Sequence, residues 1–436
     1  MLCLIIVFLS GCSLEYGDGL LSLPKLPGEY LLLQHEIDEI LNTGAVYATA
    51  ETGSNRQAVQ LIDVDGDGED EAIAFFRMPG GDFLVCVYER RESGYEEIGR
   101  AEGFGNTIHA VHYPRISADG KLALALSWGL DDAGSYGMTV FAFENGELKS
   151  QMDVQYTSML MEDIDGDSVN ELFFAVRDAS SGVYTLKGYG YSYDSYRQRT
   201  EAPLCMEVRS VSRMKLGMTA DMEQAVFVDS AATGGGYVTD IVALTENGAV
   251  NRTIDLVSGS GALTWRLVSV SSTDINYDGI IDVPVAADAQ QSSETQQNKL
   301  NWCDFKQDGS CDVVEVTYHN PVEEWYLTWP ESWGNAVSVV RSSGSGVSRT
   351  SFVLTPENAP ESDSGQPLLT LCVYTGDNRV GYAVADGVKI VRQAESGIYG
   401  YILPENAPAE YALTAEQVEE SFKMVEKEWA AGGYTQ

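Results

Sequence analysis

Residues 63–77 read DVDGDGEDEAIAFFR, an acidic loop with two glycines that runs directly into an apolar strand. The same pattern returns as DIDGDSVNELFFAVR at 163–177 and as DINYDGIIDVPVAA at 274–287. All three follow the form D-x-[DN]-x-D-[GS]-x-x-[DE], and a strand-like run precedes each of them. A single copy is typical of a solvated Asp/Gly turn, but three copies indicate a shared role.

Two weaker copies of the loop lie between the acidic ones and complete an internal repeat. RISADGKLALALSW begins at Arg115 and GMTADMEQAVFVDS begins at Gly217; they keep Asp119 and Asp221 but lose the other acids. The five units begin about 50 residues apart, and each continues with further short strands and Gly- or Ser-rich turns. This period is typical of propeller blades, so the sequence predicts a mainly β protein with a β-propeller of about five visible blade repeats.

The spacing of the acids predicts a cation site in each of the three loops. Side chains at positions one, three and five can turn inward together, Gly at six permits the bend, and an acid at nine closes the site. Carboxylates this close repel one another unless a cation lies between them. The predicted metal ligands are Asp63, Asp65, Asp67 and Glu71 in the first loop, Asp163, Asp165, Asp167 and Glu171 in the second, and Asp274, Asn276, Asp278 and Asp282 in the third. Backbone carbonyls of Glu69, Val169 and Ile280 are predicted to add further oxygens.

The loops differ from EF-hands, which need Glu at position twelve and flanking helices. Position twelve is Ala74, Phe174 or Val285, and the flanking residues are strand-like. The pattern instead resembles the FG-GAP/VCBS-type repeat of integrin-like β-propellers, over residues 57–290. That resemblance implies a bladed propeller, calcium bound for rigidity, and a binding role more often than catalysis.

Several stretches depart from that repeat. Ser168 replaces Gly in the second loop, and the units at Arg115 and Gly217 lack most acids, which implies blades without an ion. A further match at Asp304–Asp312 places Lys306 at the third ligand position. Because a cation there opposes metal binding, this match is predicted to be a hairpin turn.

The N-terminus has the features of an export signal. The sequence MLCLIIVFLSGC has an apolar run too short to span a bilayer, and it ends in a stretch that resembles the lipobox of bacterial lipoproteins. That resemblance implies a lipoprotein signal peptide over 1–11, a lipid on Cys12, a tether over 12–28, and an extracytoplasmic location anchored to the bacterial cell membrane. No Lys or Arg precedes the apolar run, which leaves open whether Met1 is the true start.

The remaining chain divides into two predicted domains. Residues 29–325 are assigned to the propeller, preceded by a short amphipathic helix over 29–43. Residues 326–436 are predicted to form a small C-terminal α+β domain that ends in an amphipathic helix, because Thr414 and Gln417 form a capping box. The apolar stripe of that helix is Val418, Phe422, Val425 and Trp429.

Two groups of residues near this boundary each allow two interpretations. Cys303 and Cys311 flank a turn. They form either a cross-strand disulfide or two small buried residues, and the second interpretation is favoured. Four aromatic residues form either a sugar- or peptide-stacking platform or a core, and the core is favoured. These residues are Trp325, Tyr326, Trp329 and Trp333.

The charge balance excludes nucleic acid as a partner. The chain has 27 Lys and Arg against 65 Asp and Glu, a net charge of −38. Such a surface repels polyanions and attracts cations. The acidity either serves solubility alone or contributes to cation binding.

No catalytic motif is found, so the chain is not expected to be an enzyme. There is no GxSxG or HExxH, and the glycine-rich stretch at 231–237 lacks the Lys of a phosphate loop. The sequence favours a lipid-anchored surface binding or scaffold protein that presents loops 129–137 and 229–237 to an extracellular protein or glycan. The alternatives are an extracytoplasmic enzyme that degrades polysaccharide or peptide, which needs a pocket of convergent acids or His, and a purely structural envelope protein.

Overall fold

The computed structural model describes residues 28–131, 134–144, 147–287, 298–355 and 365–425. The predicted signal peptide, the tether, Cys12 and Trp429 lie outside these residues. The described strands form six antiparallel sheets, and the first four follow one another along the chain. The mainly β architecture with propeller-type blades and a C-terminal α+β part is as predicted.

Four sheets, named blades 1 to 4, are meanders in which consecutive strands pair, except that the first two strands of blade 1 both pair with its third strand. Blade 1 contains β1 (Val46–Tyr47), β2 (Val59–Ile62), β3 (Glu71–Arg77), β4 (Phe83–Arg91) and β5 (Gly94–Gly103). Blade 2 contains β6 (Thr107–His112), β7 (Leu124–Gly129), β8 (Tyr136–Glu144) and β9 (Glu147–Tyr156). Blade 3 contains β10 (Ser158–Glu162), β11 (Glu171–Arg177), β12 (Tyr184–Ser192) and β13 (Ser195–Pro203). Blade 4 contains β14 (Val208–Met218), β15 (Gln224–Ala232), β16 (Tyr237–Thr245) and β17 (Gly248–Asn251).

The last two sheets are interleaved along the chain. Blade 5 begins with β18 (Val283–Ala286), β19 (Lys299–Phe305), β20 (Cys311–Asn320) and β21 (Trp325–Thr328). Sheet 6 contains β22 (Val337–Gly344), β23 (Val347–Leu354), β24 (Gln366–Tyr374), β25 (Lys389–Gln393) and β26 (Ile398–Ile402). The chain then returns to blade 5, where β27 (Phe422–Met424) pairs with β21.

Neighbouring blades pack face to face, and this explains their sequences. Strand β3, EAIAFFR, is buried at every position except its last, because side chains on both of its faces are covered. Phe75 packs with Trp128 in the core between blades 1 and 2. Equivalent cores join blades 2 and 3, blades 3 and 4, blades 4 and 5, and blade 5 and sheet 6.

Helices cover the outer faces of the first and last sheets. Helix α1 (Gly28–Leu41), predicted over 29–43, places Leu33 and Ile37 on the outer face of blade 1. Helix α2 (Arg379–Ala385) places Ala383 on sheet 6. Capping by helices shields the apolar faces that an end blade otherwise exposes. Among the described helices, none combines the length and apolarity needed to cross a bilayer.

The strand expected directly before the third acidic loop is absent. Residues 266–272 make only isolated bridges, among them Tyr237 with Arg266. The Arg266 side chain is fully buried, and its Nε donates to the carbonyl of Val270 at 2.7 Å. This side chain holds the segment in a bent path, which prevents ladder pairing despite its alternating apolar residues.

The C-terminal helix is shorter than the apolar stripe predicts. Helix α3 (Ala415–Ser421) begins at the predicted capping box, with both Thr414–Gln417 hydrogen bonds present. It ends at Ser421 because Phe422 joins β27 opposite Leu327 and is buried there. Edge-strand pairing and burial of Phe422 outweigh the local helix preference.

The aromatic cluster forms a core, as favoured from the sequence. All four residues are at most 7% exposed, and three of them lie in a core shared by blade 5 and sheet 6. Trp329 and Trp333 pack edge to face at 5.2 Å with Phe352 of sheet 6 beside them. The core is therefore continuous across the predicted boundary between residues 325 and 326.

Cys303 and Cys311 are both free thiols. Cys303 is buried and pairs with Val313, as the favoured interpretation predicts, whereas Cys311 is exposed and pairs with Phe305, so the prediction of a second buried residue is wrong. The two cysteines are therefore diagonal neighbours on the hairpin rather than direct partners. The turn between them is the hairpin predicted from Asp304–Asp312, and Lys306 forms a 2.7 Å ion pair with Asp312.

A buried histidine in β20 predicts acid sensitivity. His319 is fully buried, stacks on Tyr326 at 5.1 Å, and has Nε2 2.9 Å from Thr317 Oγ1. Burial lowers its pKa to about 3, so the unfolded chain takes up the proton first and stability falls as pH drops below about 6.5. Between pH 7 and pH 4, we expect His319→Gln to lose roughly 2–3 kcal/mol less of its free energy of unfolding than the wild type does.

Urea unfolding at several pH values measures this difference between the variant and the wild type. His35→Gln is the control, because the side chain of His35 is 73% exposed. Parallel pH profiles for the wild type and His319→Gln contradict the prediction.

Candidate metal centres

The first acidic loop connects β2 to β3 and is folded around its own carboxylates. Asp63 accepts hydrogen bonds from the N–H groups of Gly66 and Gly68, at 2.7 and 3.0 Å. Both glycines have positive φ, +79° and +91°, which favours residues without a Cβ. Asp65 Oδ1 accepts from the N–H of Asp67 at 3.1 Å, so the side chains at positions one and three face the inside of the loop.

Glu71 closes this loop from the first position of β3. It is 2% exposed, and its Oε2 accepts from the N–H of Val64 at 2.9 Å. Burial, together with the charges of Asp65, Asp67 and Asp63, raises the pKa of Glu71 to about 7. A carboxyl group with a raised pKa among other carboxylates marks a place where a cation relieves repulsion.

The second loop repeats the first bond for bond. Asp163 accepts from the N–H groups of Gly166 and Ser168 at 2.8 and 2.9 Å, and Glu171 accepts from Ile164 at 3.0 Å. Ser168 has a φ of +70° at the place of Gly68, so the backbone shape is kept although the residue differs. Burial also raises the pKa of Glu171.

The third loop keeps the scheme with altered side chains. Asp274 accepts from the N–H groups of Asp278 and Gly279 at 3.0 and 2.9 Å, and Asn276 Oδ1 accepts from Asp278 at 3.0 Å. Asp282 closes the loop and accepts from the N–H of Ile275 at 2.8 Å. Position three therefore carries a neutral amide where the other two loops carry a carboxylate.

The donor set fits a hard divalent cation. In the first two loops, three carboxylates each place one oxygen within 4.8 Å of the others. These residues are Asp63, Asp65 and Glu71, and Asp163, Asp165 and Glu171. All donors are oxygens, with no thiolate or imidazole among them, which is the ligand chemistry of calcium rather than of zinc or copper. Asp67 and Asp167 cap the backbone of their loops through Oδ1, at 2.8 and 2.7 Å.

Hydrogen bonds connect the five loops in series across the blades. Loop atoms of one blade bond to loop or strand-end atoms of the next at 2.8–3.0 Å. These bonds run from Leu122 N to Val64 O, from Asn170 N to Arg115 O, from Gln224 Nε2 to Ile164 O, and from Ile281 N to Met218 O. The two loops that lack acids thus bridge the three that carry them, and a bound cation would stiffen contacts between blades.

A cleft lies where blade 4, blade 5 and sheet 6 meet, with a volume of about 650 Å³. Tyr237 of β16 lines one side, and Arg341 of β22 lines the other and donates to Asn320 Oδ1 at 3.0 Å. The remaining lining residues are Leu267, Val268, Ser269, Asn298, Pro321, Val322, Ser342, Ser343 and Ser348. This set holds hydroxyls, amides and one guanidinium, but no carboxylate or imidazole among the described residues.

The cleft was not predicted from the sequence, which instead predicted that loop 229–237 is presented to a partner. In the predicted loop 229–237, Asp229 is 1% exposed and accepts a hydrogen bond from Arg266 at 2.9 Å. Of this loop, Tyr237 lines the cleft. Arg341 carried no motif, because its place in the cleft depends on how sheet 6 packs on blade 5.

No protein-family model and no curated protein matches the chain. Among solved structures, it is similar to the exotype rhamnogalacturonan lyase YesX, with 14% identity, a TM-score of 0.33, and coverage of 75% of this chain and 56% of the lyase. It is also similar to the Dos1 propeller, with 11% identity, a TM-score of 0.28, and coverage of 84% and 83%. TolB from Acinetobacter baumannii matches at 10% identity with a TM-score of 0.23, over 56% of this chain and 53% of TolB.

The chain thus spans little more than half the length of the lyase. With TM-scores this low, the similarities carry no information about activity. The assignment of propeller blades rests on the order and pairing of the sheets in this chain.

Proposed function

We propose that this protein is an extracytoplasmic binding protein, anchored through a lipid on Cys12, whose blades are stabilised by calcium. The cleft between Tyr237 and Arg341 is the proposed ligand site, and an extracellular glycan or protein is the proposed ligand. The composition of the cleft carries this proposal. Hydroxyl, amide and guanidinium groups bind polar ligands, and none of the described residues that line the cleft offers a carboxylate or an imidazole for acid–base catalysis.

The calcium loops support a structural role for the metal. They lie at the strand connections, and the series of hydrogen bonds between Val64 and Ile281 joins them from blade 1 to blade 5. The residues predicted as ligands are not among those that line the cleft. Calcium is therefore assigned to holding the blades together and not to contacting the ligand.

A glycan is favoured as the ligand because the cleft is open, polar and bordered by an aromatic ring. A second groove of about 500 Å³ shares Ser342 and Ser343 with the cleft and adds Tyr382, together with Asp386, whose carboxylate is paired with Arg349. Aromatic faces stack on sugar rings, and serine hydroxyls exchange hydrogen bonds with sugar hydroxyls. The two grooves together give an extended path suited to a chain of sugar units.

We expect Arg341→Gln to weaken glycan binding at least tenfold. The change removes the one cationic donor in the cleft, which forms charge-assisted hydrogen bonds, and keeps a polar group of similar length. Affinity electrophoresis against neutral and uronate-bearing polysaccharides measures this loss of affinity. The matched control is Arg392→Gln, because Arg392 is exposed on the same sheet and does not line the cleft.

Two results decide against the proposal. Equal retardation of the wild type and Arg341→Gln places the binding elsewhere. Release of new reducing or unsaturated sugar ends during the assay favours the polysaccharide-degrading enzyme instead.

A further inference from the structure

A pair of buried carboxyl groups lies behind the third acidic loop. Asp282 is fully buried at the end of this loop, and Asp304 on β19 is 8% exposed. The register pairs Val283 with Cys303, so the next residues outward, Asp282 and Asp304, are direct cross-strand neighbours. Side chains at such positions have Cβ atoms about 5 Å apart and face the same side of the sheet.

Each of these carboxyl groups has one oxygen without a protein partner. Asp282 Oδ2 accepts from the N–H of Ile275, but Asp282 Oδ1 and Asp304 Oδ1 are buried and accept no hydrogen bond. The Lys306 ammonium further along the strand pairs with Asp312 at 2.7 Å. Two facing buried oxygens without donors are costly unless a proton or a cation lies between them.

The other acidic blades have no equivalent of Asp304. The neighbour of Glu71 by the same register is Glu89, whose carboxylate is already paired with Arg91 at 2.5 Å. The neighbour of Glu171 is Gly190, which has no side chain. A free buried carboxylate beside the closing acid is thus specific to blade 5 among these three blades.

The third loop is also the one that lacks a carboxylate. The first two loops carry acids at all four ligand positions, whereas the third has Asn276 at position three and acids only at Asp274, Asp278 and Asp282. Asp304 restores the number of carboxylates to four. Calcium sites are tuned by the number of charged ligands, so a loop with three acids alone is expected to bind more weakly.

We infer that Asp304 is an additional ligand of the third loop, and that Asp282 and Asp304 together hold its cation against the strand pair. This inference rests on calcium binding by the third loop. It assigns a ligand outside the loop, on the neighbouring strand. The sequence match at Asp304–Asp312 is then a hairpin whose first residue serves the preceding loop.

Calcium titration calorimetry on the full chain, freed of metal by chelation, tests the inference. The wild type is expected to bind three ions, and Asp274→Asn identifies the third site by removing it. Asp304→Asn is expected to weaken that site at least tenfold and to leave the other two unchanged. Asp312→Asn is the matched control, because it removes the same charge from an exposed position opposite Asp304 and is expected to change nothing.

Thermal melts separate a ligand from a structural residue. In EDTA, Asp304→Asn should melt no lower than the wild type, because an amide can donate to the unpartnered oxygen of Asp282 and removes the repulsion. Addition of calcium should raise the melting temperature of Asp304→Asn by less than it raises that of the wild type. A lower melting temperature in EDTA assigns Asp304 to the core alone and overturns the inference.

The two proposals fail in different ways. Three sites in the wild type, with an unchanged third site in Asp304→Asn, overturn the inference, assign the carboxyl pair to proton sharing, and leave calcium binding intact. No calcium bound by the wild type overturns both.

Discussion

We expect the removal of calcium to lower the melting temperature of this protein. Each occupied site stabilises the folded chain by about 2.7 kcal/mol when free calcium is 100 times the dissociation constant, so three sites amount to roughly 8 kcal/mol. The effect is large because the apo loops crowd carboxylates together, with the pKa of Glu71 raised to about 7.

The loss is expected to involve several blades rather than one loop. Leu122 bonds to Val64 of the first loop, and Asn170 of the second loop bonds to Arg115. Because of these bonds, loss of order in either metal loop should also weaken the neighbouring blade that carries no acids. Differential scanning calorimetry in calcium, in EDTA and in magnesium measures the shift. Magnesium should restore little, because it demands a smaller octahedral shell than these loops of crowded carboxylates provide.

Two variants separate metal loss from a general charge effect. Asp165→Asn removes an inward-facing ligand and should lose one site and part of the calcium-dependent shift. Asp308→Asn removes the same charge from the exposed turn between β19 and β20 and should retain the full shift. Identical melting temperatures of the wild type in calcium and EDTA would overturn the metal assignment and leave the acidic loops as ordinary turns.

The blades were predictable because local signals repeat. Strand β3 and its counterpart β11 follow acidic loops of the same length, and the alternation of turns and apolar runs locates the strands after them. The absence of a strand before the third acidic loop was not predictable. Residues 266–272 alternate as a strand does, but the side chain of Arg266 binds the carbonyl of Val270 and holds the segment out of the ladder.

Long-range pairing set the other limits. The strand β27 joins blade 5 about 95 residues after β21, and no local pattern in FKM distinguishes it from the end of a helix. The loop ligands were visible as a spacing of acids, whereas Asp304 depends on a register that brings β19 beside β18. The Lys306 that argued against a metal in that stretch points instead to Asp312.

A buried ion pair in blade 4 predicts the largest effect of a single substitution. Arg266 and Asp229 are each at most 1% exposed, with Arg266 Nη2 2.9 Å from Asp229 Oδ1. Arg266 also donates to Thr239 Oγ1 at 2.9 Å, and Asp229 accepts from the N–H and hydroxyl of Ser272 at 3.0 and 2.9 Å. The network ties β15 and β16 to residues 266–272, the segment that leads into the third acidic loop.

Arg266→Met should lower the free energy of unfolding by roughly 3–5 kcal/mol, because it leaves a buried carboxylate without its cation. Arg100→Met is the control, since the exposed Arg100–Glu97 pair is worth about 0–1 kcal/mol. Urea unfolding in calcium measures both. Asp229→Asn in the Arg266→Met background should recover part of the loss by removing the uncompensated charge.

Arg266→Met also tests whether the buried network supports the third calcium site. If the segment 266–272 positions Asp274, then Arg266→Met should also weaken the third calcium site while the first two sites keep their affinity. A cost below about 1 kcal/mol, comparable to the cost at an exposed pair, would show that the segment holds its path without the ion pair. Loss of stability with all three sites unchanged would instead confine the role of Arg266 to blade 4, because the third loop would then be held by its own hydrogen bonds and by β18.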